Sequence, residues 1–548
     1  MSEAGVAAPT LGRKPDTTDP GKTAPWWQRD DLTFRRGRLH LGTADLDALA
    51  RKVGTPAYVV RAPRVAEKLR QLHRALDGAG LDHRIHYAIK ANRTPQLLSY
   101  LAGRGLCGAD VCSPEELLHA LACGFREEDI SFTGTSLSPA DIEALARFDG
   151  IAINFDSLAA LERYGRLCPG RKVGIRINPD RGIGYGDSEM LQYSGANATK
   201  FGIYLDRLSE AIEIAEKHGL EIARIHFHAG CGYLDREMEQ FAAVLTASRA
   251  FTDRLPHLTE VNIGGGLGVP HRAGDRPLDL TRWASVIAAA FGGRKLTVAV
   301  EPGDFLVKDA GVLLASVTYR ERRKEVEFLG LDAGFNLAME PAFYDLPCEP
   351  VPAVPRDAPP ARFTIVGNVN EALDKWAEDH PMPAPDDGDV IALINAGGYA
   401  ASMRSDHCLR ARREPSCCLT DDGGAAPGAV LPPCHGRPMT NPDATDTLSR
   451  ETETGVTPHS PDFAFDPSDP WTQTFQMALE KAELSGKRVY EVGIGTGVNA
   501  AFLLQMCGAA RVSGSDLDPR MADLAERNVR SLAPAQAHRF HPINGPSA

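Results

Sequence analysis

From residue 84 onward, apolar and polar positions follow two alternating rhythms. Short runs rich in Val, Ile, Ala and Phe read as buried strands at 84–90, 108–112, 130–134, 151–155, 172–178, 223–228, 259–264 and 296–301. Between them, apolar residues recur every three or four positions, which predicts helices such as 114–124, 139–148, 205–218 and 234–255. Two helix starts are marked by an N-cap serine followed by proline, in Ser113-Pro114-Glu115-Glu116 and Ser138-Pro139-Ala140-Asp141. Eight strands, each followed by a helix, predict an α/β fold with a (β/α)8 barrel over residues 31–304. That range includes a strand-helix-strand lead-in from Leu39 to Val60. Periodicity leaves an open doubly wound sheet as the alternative.

Beyond residue 304 the rhythm changes. Segments 311–318, 326–331, 362–366 and 390–395 alternate like strands with turns between them, so 305–413 is expected to be a mainly β domain. Residues 414–469 are dense in Pro, Gly, Asp and Thr and read as a linker, while 1–30 read as a disordered tail. Strand and helix patterns return in 470–548.

Composition narrows the class. With 43% hydrophobic and 24% charged residues among 548, the chain has the make-up of a soluble globular protein. A formal net charge of -12 argues against a nucleic-acid surface. No apolar run approaches the roughly 20 residues needed to cross a bilayer, and the N-terminus lacks a secretory core. Eleven scattered cysteines suit reduced thiols in a cytoplasm. His407, Cys408, Cys417, Cys418, Cys434 and His435 match no finger or ribbon spacing, so no metal is expected.

In a (β/α)8 barrel, ligands sit at the carboxyl ends of the strands. Those ends carry chemistry here. Lys90 closes the first run, in His86-Tyr87-Ala88-Ile89-Lys90-Ala91-Asn92. Asp110 ends the second, Arg176 lies at the end of the fifth, and His228 and Cys231 follow the sixth. Gly264-Gly265-Gly266 follows the seventh, where exposed amides suit a phosphate, and Glu301-Pro302-Gly303 follows the eighth. Taken singly, each has a bland reading: a snorkelling lysine, a core histidine, a glycine turn. Jointly, a lysine, a histidine, an acid and a phosphate cradle describe pyridoxal 5′-phosphate, with the carboxylate keeping the pyridine nitrogen protonated.

These motifs resemble the ornithine, diaminopimelate and arginine decarboxylases of the alanine-racemase-like fold, from about Thr55 to Arg410. The resemblance rests on Tyr87-Ala88-Ile89-Lys90-Ala91-Asn92, Asp110 with Ser113 and Glu116, Arg176, Lys200-Phe201-Gly202, and His228 with Gly230. Asn262 to Gly268, Glu301-Pro302-Gly303 and Asn395-Ala396-Gly397-Gly398-Tyr399 complete it. It implies that Lys90 carries the cofactor, that His228 stacks on its ring and that Glu301 meets its nitrogen. It further implies that Cys231, where many relatives have serine, the glycines and Tyr399 surround the phosphate. A cytoplasmic homodimer with shared active sites follows from the same likeness, with an amino acid as substrate and no nucleic-acid or membrane partner.

Three departures stand out. Diaminopimelate decarboxylases carry arginines where this chain has Asp304 and Glu340, the latter in Glu340-Pro341-Ala342-Phe343-Tyr344. Two like charges about 4 Å apart in a partly buried pocket cost on the order of several kcal/mol, so a distal carboxylate on the substrate is disfavoured. A distal cationic or neutral group is expected instead, unless both acids are consumed by nearby basic residues. The third departure lies in Gly367 to Asp374: Glu371 and Asp374 are kept, but Asn370 stands where relatives have the cysteine that returns the proton. Asparagine has no titratable proton. Lys90, Tyr399, Cys231 or water would then supply it. Asp304, Glu340, Tyr344, Asn370, Glu371, Asp374 and Tyr399 are thus the substrate-side candidates, and Lys90, His228, Glu301 and Glu371 the catalytic ones. The expected reaction is decarboxylation of an amino acid, with racemisation, decarboxylation-dependent transamination or non-catalytic cofactor binding as alternatives.

The last segment carries Glu491, Gly493, Gly495 and Gly497 in one strand-to-helix turn and Asp516 after the next strand. Glycines let a ligand approach a helix N-terminus, and the acid suits ribose hydroxyls. This resembles the start of a class I S-adenosylmethionine-dependent methyltransferase, which implies S-adenosylmethionine as its ligand. Such a domain needs some 150 or more residues, so an inactive partial fragment is expected and a bifunctional enzyme is not.

Overall fold

A computed structural model describes residues 25–184, 198–410, 416–420, 425–427, 488–492, 504, 510–515, 525–527, 529–530 and 536–543. Eight parallel strands close on themselves: β1 His83–Ala88, β2 Gly108–Val111, β3 Ile130–Phe132, β4 Ala152–Phe155, β5 Lys172–Asn178, β6 Glu221–His226, β7 Glu260–Asn262 and β8 Thr297–Val300. Closure is explicit in the register, with Val300 of β8 opposite Ile85 of β1 and Phe155 of β4 opposite Ile175 of β5. The barrel therefore replaces the open-sheet alternative. All eight expected strands are present, most of them trimmed by one to three residues. One trim matters: the first run stops at Ala88, and Ile89–Ala91 is a separate 3₁₀ turn that lifts Lys90 out of the strand.

Helix starts follow the chain's chemistry. The Ser113 side chain accepts the Glu116 amide, and Ser138 with Asp141 forms a reciprocal capping box at Pro139–Leu145. The helix faces turned inward, with Leu69, Leu72, Leu161, Phe241 and Trp283, pack on the barrel strands as one apolar core.

The second layer departs from the expected boundaries. The expected strand at 311–318 runs on to Arg323, and Gly311–Arg323 pairs with Val326–Leu331 and Val390–Ile394, both expected as strands, and also with Ala57–Arg61. The lead-in assigned to the barrel thus supplies a strand of the β domain. It does so because Ala57, Tyr58, Val59 and Val60 are buried on both faces, as an interior strand requires. Ser416–Leu419 pairs in parallel with the other edge of Ala57–Arg61, so the expected linker begins with a buried strand. Lys375–Pro383, unmarked by alternation because only Trp376 and Met382 are buried along it, adds a further strand next to Pro360–Val366. At the N-terminus, Trp27 is buried against Phe34, so order begins inside the segment read as a tail; residues 1–24 lie outside the described set.

By compactness the chain divides at His435 and Gly436. In the C-terminal unit, Arg488–Val492, Arg511–Ser515 and Phe540–Ile543 form a parallel three-stranded sheet in that order. Glu491 belongs to its first strand; Gly493, Gly495, Gly497 and Asp516 lie outside the described residues. Among the described residues no helix is long and apolar enough to cross a membrane.

Strand Ser416–Leu419 can be tested directly. Leu419 is 5% exposed, and Leu419→Ala is expected to destabilise the protein by about 2–3 kcal/mol. A change near zero in urea denaturation would return this segment to a linker.

Candidate active site

Glu301, the first residue after β8, is buried at the barrel's carboxyl mouth, and three other strands reach it. The Ser131 hydroxyl from β3 donates to its Oε1 at 2.9 Å, and the Asn262 amide from β7 donates to the same oxygen at 2.6 Å. His226, the last residue of β6, bonds its Oε2 at 2.9 Å. Burial alone would push this carboxyl up, but His226 and Lys90 outweigh it and hold Glu301 well below the usual carboxylate range. It is a permanent anion at neutral pH.

Lys90 extends from its 3₁₀ turn to Asp110, at 3.5 Å. The Asp110 carboxylate is the main cause that raises the lysine well above its ordinary value, against the desolvation that would lower it. Asp110 is itself pushed up by burial and by Glu301, and its Oδ1 is buried without a hydrogen-bond partner. His228 lies two residues beyond β6. Burial first, then Arg176 and Lys90, hold its imidazole neutral, and its Nε2 lies 3.5 Å from Cys231 Sγ.

The glycine run beside it is dictated by close approach. A Cβ on Gly265 would stand 2.2 Å from the Glu301 carbonyl oxygen, and one on Gly266 would stand 1.8 Å from that of Gly230. From the β domain, Tyr399 enters in a left-handed conformation (φ 58°), its amide bonded to the Ala91 carbonyl at 2.8 Å. Asn92 donates to the Gly397 carbonyl at 2.9 Å and Ser402 to Ala91 at 3.3 Å, so this segment clamps the turn that carries Lys90.

Within this frame lies a cavity of about 390 Å³. It brings together Lys90, Asp110, Arg176, His228, Cys231, Gly265, Gly266, Glu301, Gly303, Asp304, Glu340, Tyr344 and Tyr399.

Residues 63–308 match the pyridoxal-binding domain of pyridoxal-dependent decarboxylases. Over 403 residues the chain is 34% identical to the diaminopimelate decarboxylase of Methanothermobacter thermautotrophicus, covering 71% of this chain and 92% of that one. The Pseudomonas aeruginosa diaminopimelate decarboxylase is 32% identical over 395 residues, 70% of this chain and 92% of its own. The crystal structure of diaminopimelate decarboxylase from Helicobacter pylori complexed with L-lysine superposes with a TM-score of 0.63 at 26% identity, covering 75% of this chain and all of that one. The chain belongs to the pyridoxal-dependent decarboxylases. It is a carboxy-lyase that uses pyridoxal 5′-phosphate to decarboxylate an amino acid.

The residues of this decarboxylase fit that cofactor. The glycine run leaves a cradle that side chains would fill, an anionic carboxylate faces the cavity, and Lys90 projects into it beside the unpartnered Asp110 oxygen. Pro302 and Gly264 lie behind the lining: the Pro302 carbonyl accepts the Ala88 amide at 3.3 Å, and the Gly264 amide bonds Asn262 at 2.9 Å.

Three candidates lie elsewhere in this chain. Asn370 and Glu371 are exposed, and Glu371 bonds His407 at 2.9 Å. Asp374 is buried, but its two oxygens accept the amides of Phe335 and Val369, each at 2.7 Å. It holds the loop rather than facing the cavity. Asp304 and Glu340 do face the cavity, and both also pair with Lys308. Lys308 carries no motif in the sequence, where its spacing of four residues from Asp304 is the one local clue to the pairing. Ser131 and His226 were missed as well, since neither belongs to a run of polar residues.

Gly265→Ala is expected to prevent retention of the cofactor, because no rotamer moves a Cβ off the Glu301 carbonyl. Visible absorbance after reconstitution, compared with the wild type, checks this; a variant that loads normally contradicts the cradle.

Proposed function

We propose that this decarboxylase acts on an amino acid whose side chain ends in a cationic or neutral group rather than a carboxylate, within a homodimer of the cytoplasm. The observation that carries the substrate reading is that Asp304 and Glu340 line the same cavity as Lys90. A distal carboxylate would meet two acids there, at a cost of several kcal/mol at about 4 Å.

Bound at the glycine cradle, pyridoxal 5′-phosphate supplies an electron sink for the pair left when the bond from Cα to the carboxylate breaks. In this reading Lys90 holds the cofactor covalently, and must lose the proton that Asp110 stabilises before it can do so. Glu301, kept anionic, holds a proton on the ring nitrogen. Neutral His228 offers a flat, uncharged face to the ring. The Gly265 and Gly266 amides, Cys231 and Tyr399 receive the phosphate, with Gly264 shaping the turn behind them and Arg176 completing the cationic side of the cavity. Asn370 cannot return a proton to Cα, so Lys90, Tyr399, Cys231 or water does. Product analysis in deuterated water separates simple decarboxylation from racemisation and from decarboxylation-dependent transamination.

Exposure of Asn370 and Glu371 in the single chain supports a reading in which the segment from Gly367 to Asp374 reaches the active site of a partner subunit, as the family resemblance implies. The nine described cysteines, all free thiols, support the cytoplasmic assignment. For residues 470–548, the order of three parallel strands is in keeping with the opening of a methyltransferase-like α/β fold; no methyl transfer is proposed for it.

Two measurements test the reading. Lys90→Ala should abolish both the visible absorbance of the lysine-bound cofactor and carbon dioxide release, and persistence of both would exclude Lys90. In a panel of lysine, ornithine, arginine and diaminopimelate, carbon dioxide release is expected to be at least tenfold faster from one of the first three. Preference for diaminopimelate overturns the substrate class.

A further inference from the structure

Lys308 is fully buried, yet both acids of the cavity wall depend on it. Its Nζ lies 3.1 Å from Asp304 Oδ1, bonds Glu340 Oε2, and donates to the Gly398 carbonyl at 3.2 Å. Two of its three N–H donors are thus taken by Glu340 and Gly398, and the pairing with Asp304 is one of charge, since Asp304 Oδ1 is buried without a hydrogen-bond partner. Lys308 is not part of the cavity lining, whereas Asp304 and Glu340 are, at 8% and 5% exposure. Two carboxylates and one ammonium leave this wall with one net negative charge.

Among the described residues, the titratable side chains His271, Cys348 and Tyr344 beside it do not cancel it. His271 is pushed down by burial, to about 4, and by Lys308 as well, so it is neutral at physiological pH. Burial pushes the Cys348 thiol up to about 12, and burial and Glu340 raise Tyr344, so both stay uncharged. The Tyr399 ring centroid lies 5.6 Å from Lys308 Nζ. The cation has thus been drawn behind the wall and its counter-charges left in front.

We propose that Asp304, Glu340 and Lys308 form a subsite of one net negative charge that receives a distal ammonium or guanidinium, which makes the substrate a basic amino acid. This rests on the substrate reading above and narrows it from cationic or neutral to cationic. Each carboxylate that Lys308 engages retains acceptor capacity, so an incoming ammonium gains hydrogen bonds as well as charge compensation. A neutral side chain leaves the net charge unanswered. A carboxylate adds a third anion to a wall that is already net negative and whose one cation lies behind the lining.

The subsite also has a pH dependence with a definite sign. Burial, then Asp304, push Glu340 up to about 7 against the pull of Lys308. Below that pH Glu340 gains a proton and the wall becomes neutral; above it the full charge is restored.

Three amine probes of similar length read the wall directly in the cofactor-loaded enzyme: cadaverine, n-pentylamine and 5-aminopentanoate. Isothermal titration at about pH 8 is expected to give cadaverine a Kd at least tenfold lower than n-pentylamine, with 5-aminopentanoate weakest. At about pH 6 the first ratio should shrink. In Glu340→Gln, and independently in Asp304→Asn, the wall is neutral and the ratio should fall below about threefold. If one variant fails to fold, the other still decides. Tighter binding of 5-aminopentanoate than of cadaverine by the wild type overturns the substrate reading itself. A wild-type preference for cadaverine that survives in a folded variant overturns only the assignment to this triad.

Discussion

One buried anion organises the catalytic end of this protein. Glu301 is buried, so its charge is met by hydrogen bonds from Ser131, Asn262 and His226. Those donors come from β3, β7 and β6, and Glu301 follows β8. Only a closed barrel brings these strand ends to one point, since in an open sheet β3 and β8 would stand far apart. Barrel closure and the chemistry of the site are therefore the same constraint. The network also explains why Ser131 and Asn262, small polar residues, occupy positions where strands usually carry Val or Ile.

Much of this was legible in the chain. Barrel strands are apolar on both faces, so they appear as continuous runs, and the carboxyl end of each run is a defined place to look for function. Lys90, Asp110, Arg176, His228 and Glu301 were found that way. What stayed hidden depends on pairing across sequence distance. Ala57–Arg61 reads like any buried strand, and nothing local says that its neighbours are residues 311–314 and 416–419. His226 and His228 stand two residues apart, and only the fold shows that one turns to Glu301 and the other toward Cys231. Lys308 was invisible for a simpler reason. A lysine in a short amphipathic stretch is expected to reach water, and this one is held inside by two acids 4 and 32 residues away.

The two acids were legible as a departure, but their meaning was not. Sequence alone left open whether they face the substrate or are consumed by a basic partner. Both descriptions hold at once: the acids pair with Lys308 on one side and border the cavity on the other. A buried ion pair adds little stability by itself, because desolvation offsets most of the attraction. Its value lies in holding two acids next to each other at a fixed position on the cavity wall.

The strand Ala57–Arg61 has a consequence for how this protein is made. The chain starts the β domain, leaves it to build the whole barrel, and returns to complete it, so the barrel is an insertion within a sheet. During synthesis Ala57–Arg61 emerges some 250 residues before Gly311–Arg323 gives it a partner, and its second partner arrives about a hundred residues later still. The barrel can close while this apolar strand waits unpaired. A nascent chain with an exposed edge of that kind is open to mispairing, and ribosome-proximal chaperones are the cellular answer to that exposure.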